Sequence, residues 1–339
     1  MVIHKEDRAI GCMIGGAYGD CLGAAVEFMS LDQIRRIYGP RGIIVPQPAY
    51  GFSHPVITDD TQMAMATAEG ILSTPVDERR NAESILWSVW SAYRRWYATQ
   101  CNPAASRAPG STCMSALGGR ILGSVKHPLN QSAGCGGIMR AHPAGVARWG
   151  HPIHAFALGV DTAALTHGHS NGYVPSGVLA ALVASLIAGA SYDDALAFVQ
   201  ECMHAESPRL GHDALQGTQD ALWQAGNAPV DGDHEETIDR SVGRSVPGKE
   251  GGWLGHDALA IALYAVRCAP DDPIEAVRIA VNHSGDSDST GSIVGAIMGA
   301  RFGPAPFEHA LTAHAIALEH HDDLVTLGQR LVAFDEEGT

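Results

Sequence analysis

GCMIGGAYGDCLGAAVE, residues 11–27, decides the fold. Gly11, Gly15, Gly19 and Gly23 stand four residues apart, and Glu27 follows at the same spacing. Positions four apart share one face of an α-helix. A glycine inside a helix costs about 1 kcal/mol relative to alanine, so four of them at one interval need a compensating gain. That gain is a smooth groove in which a second backbone lies close. GDSDSTGSIVGAIMGARFG, residues 285–303, carries a second ladder at Gly291, Gly295, Gly299 and Gly303. Tight helix packing accounts for both ladders. Each also has acids at one end: Asp20 and Glu27 beside the first, Asp286 and Asp288 beside the second.

Outward from the ladders, apolar residues recur at helical spacing over about 7–28, 59–73, 78–99, 135–148, 172–189, 191–204, 206–225, 256–268, 272–282, 289–302 and 306–332. Strand-like alternation is almost absent, the best run being the very short Pro55–Thr58. The pattern predicts one all-α domain over residues 1–339. Three loops are expected, at about 39–57, 100–112 and 227–254. The last contains SVPGKEGGWLG and is expected to be the most mobile, because glycine and proline dominate it. Tyr173–Tyr192 is the longest uncharged apolar stretch. It is rich in Ala, Ser and Gly and stands alone among amphipathic segments, so it reads as a buried core helix rather than a membrane span.

The formal net charge of −15 opposes a nucleic-acid surface and an anionic membrane, both of which need excess Lys and Arg. Hydrophobic residues make up 45%, enough for a large core, while aromatics are only 6%, so small residues must do much of the packing. Seven cysteines, with no CxxC pair, read as reduced thiols. MVIHKEDRAIG at the start has no cleavable signal pattern. A cytoplasmic location is expected.

Two clusters carry the chemistry: Thr58-Asp59-Asp60-Thr61 and Gly285-Asp286-Ser287-Asp288-Ser289-Thr290. Either can be a helix N-cap, where Thr and Asp satisfy free N–H groups and acids favour the positive end of the dipole. Two such clusters together weigh towards a cation, because adjacent carboxylates repel unless neutralised. Oxygen donors without zinc-spaced Cys or His suit a hard ion such as Mg²⁺ or Mn²⁺.

From Ser84 to Val160 there is no Asp or Glu, yet there are seven cations: Arg94, Arg95, Arg107, Arg120, Lys126, Arg140 and Arg148. Within this block lie Ser132-Ala133-Gly134-Cys135-Gly136-Gly137 and Pro109-Gly110-Ser111-Thr112. Each reads as an ordinary glycine-rich helix start, or as a turn whose backbone N–H groups suit a phosphate. Metal-binding acids facing a phosphate cradle suit a nucleotide-sugar substrate.

GGAYGDCLGAAVE, ITDDT, SAGCGGIMRAHPAG, LTHGH and HSGDSDSTGSIVGAIMGA, in this order and spacing, resemble the motifs of the ADP-ribosylglycohydrolases over about residues 10–303. The resemblance implies a compact single-domain orthogonal helical bundle with two Mg²⁺ or Mn²⁺ ions in a central cleft. Carried over motif by motif, the metal ligands would be Glu27, Thr58, Asp59, Asp60, Asp286, Asp288 and Ser289, with Ser287 and Ser289 where the family usually has threonine. Substrate contacts would come from Ser111, Gly134, Cys135, Gly136 and Gly137, with His167 near the ADP-ribose. The implied reaction is hydrolysis of the bond between ADP-ribose and an arginine or serine side chain of a protein. Glu27, Asp59, Asp60 and Asp288 would be the catalytic carboxylates. His283 is either a supporting partner of the third cluster or a core histidine.

Arginine-directed members carry an aspartate in the loop before the second small-residue turn, and this chain has none there. Arginine specificity is thus open. Other readings remain: a non-enzymatic relative, an immunity protein that neutralises an ADP-ribosylating toxin, or a hydrolase of a small conjugate such as O-acetyl-ADP-ribose. A monomer without nucleic-acid or membrane partners is expected.

Overall fold

The two glycine ladders form one seam. In the computed structural model, which describes residues 3–246 and 250–334, the first ladder lies on a helix spanning Lys5–Gly23 and the second on one spanning Ser287–Phe302. A methyl built on Gly19 would stand 1.9 Å from the Gly291 carbonyl oxygen. On Gly15 it would stand 2.2 Å from that of Gly295, and on Gly11 2.4 Å from that of Gly299. The helices run antiparallel in backbone contact, and no other residue type fits those positions. At Gly23 the added carbon would meet Asp288 Cα at 2.5 Å. The seam therefore delivers the end of the first helix to the acidic start of the second. Gly303 ends the seam, its Cα 2.6 Å from a methyl built on Gly11, and closes its helix at φ 73°, a conformation glycine adopts without strain.

Among the described residues the α-helices are, in order, α1 (Lys5–Gly23), α2 (Leu31–Tyr38), α3 (Asp59–Leu72), α4 (Ala82–Thr99), α5 (Ser111–Gly118), α6 (His142–Ala147), α7 (Pro152–Ala164), α8 (Ser170–Ile187), α9 (Tyr192–Leu210), α10 (His212–Asn227), α11 (His234–Ser241), α12 (Gly255–Cys268), α13 (Pro273–Val281), α14 (Ser287–Phe302), α15 (Ala305–Ala313) and α16 (His321–Val332). No sheet accompanies them among the described residues; three isolated β-bridges do. The all-α expectation holds. One described helix, α8, is apolar and long enough to cross a membrane. It is buried at the centre of the bundle, packed on α6, α7, α9, α10, α12 and α14.

Several expected boundaries need correction. Residues 135–148 do not form one helix. Gly136 and Gly137 open a turn, Ile138–Arg140 is a single 3-10 turn, and α6 starts afresh with Pro143 in its first turn. The 306–332 stretch is two helices, interrupted where Ala315 and His320 adopt positive φ. α2, α7 and α11 were not anticipated, and α11 sits inside an expected loop; α5 starts at the Pro109–Thr112 turn, where a helix start was expected. α7 is buried on most sides, so its sequence lacks a polar stripe. The Pro55–Thr58 run makes no strand, only a bridge from Pro55 to Pro48. Of the segment expected to be most mobile, residues 247–249 lie outside the described residues. Residues 251–255 are pinned: Gly251 N donates to Ser284 O at 3.0 Å, and Gly255 N to Ala133 O at 2.9 Å.

Candidate active site

A cleft of about 550 Å³ opens where α1, α3 and α14 end or begin. Its acid wall is Glu27, Asp59, Asp60, Asp286, Asp288 and Ser289; its opposite wall includes Ser111, Ser132, Gly134, Cys135, Gly136 and His167. The motifs named from the sequence thus converge on one cavity. Two of the named residues stand off its wall. Thr58 is buried behind the acids as the N-cap of α3, its hydroxyl accepting from Asp60 N at 3.1 Å. Gly137 packs away from the cleft, where an added methyl would meet Gly172 O at 2.7 Å.

The capping reading of the clusters is seen directly: Thr58 caps α3 and Asp286 caps α14. Asp286 caps α14 by accepting from Ser289 N at 3.3 Å, and that same N–H reaches Asp288 Oδ1 at 3.0 Å. Asp59 accepts from Gly110 N at 3.1 Å, which ties the small-residue turn before α5 to the acid wall. Asp60 Oδ2 is buried with no hydrogen-bond partner. Glu27 sits on the turn after α1 and accepts from the Tyr50 hydroxyl. The Cys135 thiol donates to Asp286 Oδ2 at 3.0 Å.

Crowding shows in the acidities. Burial pushes Asp59 up to about 8, against the Gly110 hydrogen bond and with the charges of Glu27, Asp20 and Asp286 adding to the rise. Burial and then the Asp286 charge bring Glu27 up to about 7. Asp60 and Asp288 are driven well above the usual carboxylate range, by burial first and neighbouring carboxylates after it. Each of these groups is costly to ionise as the wall stands.

Among the described residues, no three His, Cys, Asp or Glu side chains already stand in an arrangement that grips a metal ion. By chemistry the residues still fit a hard divalent cation. The wall offers oxygen donors, one carboxylate oxygen is orphaned in the interior, and the raised acidities are those a cation relieves.

Asp20, noted in the sequence but given no role, organises this wall from behind. It is fully buried and accepts from Thr58 N at 3.1 and 3.0 Å, from Thr61 N at 3.1 Å and from the Thr61 hydroxyl at 2.5 Å. Burial raises it to about 6, opposed by these hydrogen bonds. Tyr50 and Asp257 also escaped the sequence reading. Asp257 lines the cleft and accepts from Ser245 N at 3.1 Å. Only a three-dimensional neighbour list reveals such roles. His283 donates to or accepts from the Thr290 hydroxyl at 3.0 Å and is buried, which favours the core reading.

The opposite wall is neutral at its surface. The Thr112 and Ser132 hydroxyls meet at 3.0 Å and join its two turns. Cys135 N donates to Trp253 O at 2.9 Å, and Asp286 N to Gly251 O at 3.0 Å, so residues 251–255 stitch the two walls together. His167 Nδ1 pairs with the Thr166 hydroxyl at 2.9 Å, and burial followed by the Arg140 charge pushes it down to about 3. The imidazole is neutral there. None of the seven cations of the acid-free block lines the cleft. Arg94 donates to Leu117 O at the end of α5, Arg107 pairs with Glu319 at 3.2 Å, and Arg148 donates to Arg79 O. Arg140 alone lies directly behind the glycine turn, donating to Gly136 O at 2.6 Å. No acid stands in the loop before Ser111; besides the acid wall, the acids on the cleft are Glu250 and Asp257.

A family model for the ADP-ribosylglycohydrolases matches residues 1–338. An uncharacterised Archaeoglobus fulgidus protein is 27% identical over 303 residues, covering 87% of this chain and 88% of the relative. The ADP-ribosyl-[dinitrogen reductase] glycohydrolase of Rhodospirillum rubrum is 27% identical over 186 residues, 54% of this chain and 59% of that protein. Among solved structures, an ADP-ribosylglycohydrolase-related protein complex superposes with a TM-score of 0.68 at 24% identity, covering 98% of this chain and 99% of that one. That last likeness bears on fold alone.

Proposed function

The chain belongs to the ADP-ribosylglycohydrolase family, and from that premise we propose that it is a divalent-cation-dependent hydrolase releasing ADP-ribose from an arginine or serine side chain of a protein. The observation that carries the cation dependence is the acid wall, with its orphaned Asp60 oxygen and its raised carboxyls. Two Mg²⁺ or Mn²⁺ ions would be held by Glu27, Asp59, Asp60, Asp286, Asp288 and Ser289, with Thr58 behind them. The chemistry such ions supply is activation of a water and orientation of the ribose hydroxyls.

The chain's own residues do the rest. The Ser111 hydroxyl and the Gly136 backbone face a diphosphate, Cys135 N being already given to Trp253 O, and His167 stands neutral beside them. With the diphosphate on that wall, the distal ribose reaches the acids. A carboxylate among Glu27, Asp59, Asp60 and Asp288 takes the proton of the attacking water. The water oxygen joins the anomeric carbon, the bond to the side-chain nitrogen or oxygen breaks, and the departing side chain receives the proton. The protein acts as a cytoplasmic monomer.

The test is release of ADP-ribose from arginine-linked and serine-linked ADP-ribosyl peptides in Mg²⁺, Mn²⁺ or EDTA. Release from one peptide that EDTA abolishes is the expected result and settles the linkage. Release unaffected by EDTA would overturn the role given to the acid wall. Binding of ADP-ribose without release from either peptide would overturn the protein-linked substrate.

A further inference from the structure

Among the described residues, Arg140 has no carboxylate to pair with. Its side chain is 1% exposed. Nε donates to the Tyr93 hydroxyl at 3.0 Å, Nη1 to Gly136 O at 2.6 Å and Cys113 Sγ at 3.2 Å, and Nη2 to the Thr166 hydroxyl at 2.6 Å. The guanidinium also lies over the Tyr93 ring at 4.5 Å. All of these partners are neutral. Two other buried arginines differ: Arg278 pairs with Glu235 at 2.6 Å, and Arg107 with Glu319. An interior charge that lacks an opposite charge is costly to keep. It persists where function supplies the partner.

Two of its partners name that partner. Gly136 and Cys113 each touch Arg140 and each line the cleft, so one layer of neutral atoms separates the cation from whatever the cleft holds. We propose that Arg140 is a positioning residue that selects phosphorylated ligands from behind the glycine turn, and that the anion completing its pairing is the ligand's diphosphate. This rests on the reading of the cleft given above. It works in two ways. The charge acts across a dry wall, where Coulomb attraction is stronger than in water and salt screens it little. Nη1 also holds the Gly136 carbonyl turned inward, so the turn does not present an oxygen that would repel a phosphate.

The experiment compares affinities for ADP-ribose, ADP and adenosine in the wild type, Arg140→Met and Arg140→Lys, with thermal unfolding of each in parallel. Arg140→Met is expected to weaken ADP-ribose and ADP by about tenfold or more, with adenosine within about threefold. Arg140→Lys should regain much of the preference for ADP over adenosine. Equal losses for adenosine and ADP would make Arg140 merely structural and overturn the inference, as would unchanged ADP binding in Arg140→Met. If that variant does not fold, the wild type still decides. A preference for ADP over adenosine that persists as salt is raised supports the buried charge; one that collapses assigns the attraction to surface cations and overturns it. Wild-type protein that binds neither ADP nor ADP-ribose removes the reading of the cleft, and the role of Arg140 with it.

Discussion

One wall of the cleft gathers Glu27, Asp59, Asp60, Asp286 and Asp288, drawn from the end of α1 and the starts of α3 and α14; the glycine turns facing it present hydroxyls, backbone, a thiol and a neutral imidazole, with a guanidinium buried behind, while Glu250 and Asp257 stand elsewhere on the cleft. The acid wall places like charges together at its surface and leaves an oxygen unpartnered. The glycine wall joins its two turns through the Thr112 and Ser132 hydroxyls and hides its one charge behind them. Together they teach that the cleft is polarised along its length. The acid pole suits cations by its chemistry, and the other suits an anion. A ligand with a diphosphate at one end and ribose hydroxyls at the other fits that polarity in one orientation.

The largest expected effects come from discharging the acid wall. Asp60→Asn and Asp288→Ala should each lower kcat by more than about 100-fold, since even outer partners of metal ligands cost about 10–100-fold. In EDTA, Asp60→Asn should nevertheless melt higher than the wild type, because a repelled carboxylate is gone; a lower melting temperature would deny that this wall is strained without cations. Next is the seam. Gly19→Ala drives a carbon into the Gly291 carbonyl and should destabilise by about 3 kcal/mol or more in urea unfolding. Gly226→Ala in α10, where an added carbon meets nothing within 4 Å, should instead stabilise by about 0.5–1 kcal/mol. Equal effects at the two sites would deny that the acid wall depends on backbone contact.

The smallest effects are slopes in pH, and the two walls should differ in sign. His167 is held at about 3 from an ordinary 6.5. The unfolded chain takes up its proton first, so this stability is lost as pH falls from 6.5 towards 3. Asp59 and Glu27 are raised to about 8 and about 7. Without cations the folded chain keeps their protons longer, so that stability is lost as pH rises from about 4 through 8. In EDTA, His167→Gln should flatten the acid limb by up to about 1.4 kcal/mol per pH unit. A profile parallel to the wild type would show that His167 is not held neutral.

Much of the acid wall was legible because its residues are consecutive. TDDT and GDSDS announce themselves, and the glycine spacing announces the seam. The opposite wall was legible only in part. Gly134, Cys135, Gly136, Ser111 and His167 do line it, while Gly137 faces away, since a run of glycines does not say which of them turns outward. The seven cations read as one positive block, but the fold disperses them, and proximity in sequence carried no information about which lies behind the cradle. Asp20 and Tyr50 act through contacts with Thr61 and Glu27 that join separate segments. α7 was lost because a helix buried on most sides has no polar face to mark its period.

The seam between α1 and α14 also orders events in time. Gly19 meets Gly291, so the helix that forms first during synthesis must wait for nearly the whole chain before its groove is filled. Closing so long a loop is slow compared with local helix formation. A ribosome-bound chain stopped before residue 286 has Asp59 and Asp60 but neither the α14 acids beside them nor the helix that covers the Gly11–Gly23 face. The acid wall is then completed only late in synthesis, and the bare glycine face of α1 is what a chaperone would meet in the meantime.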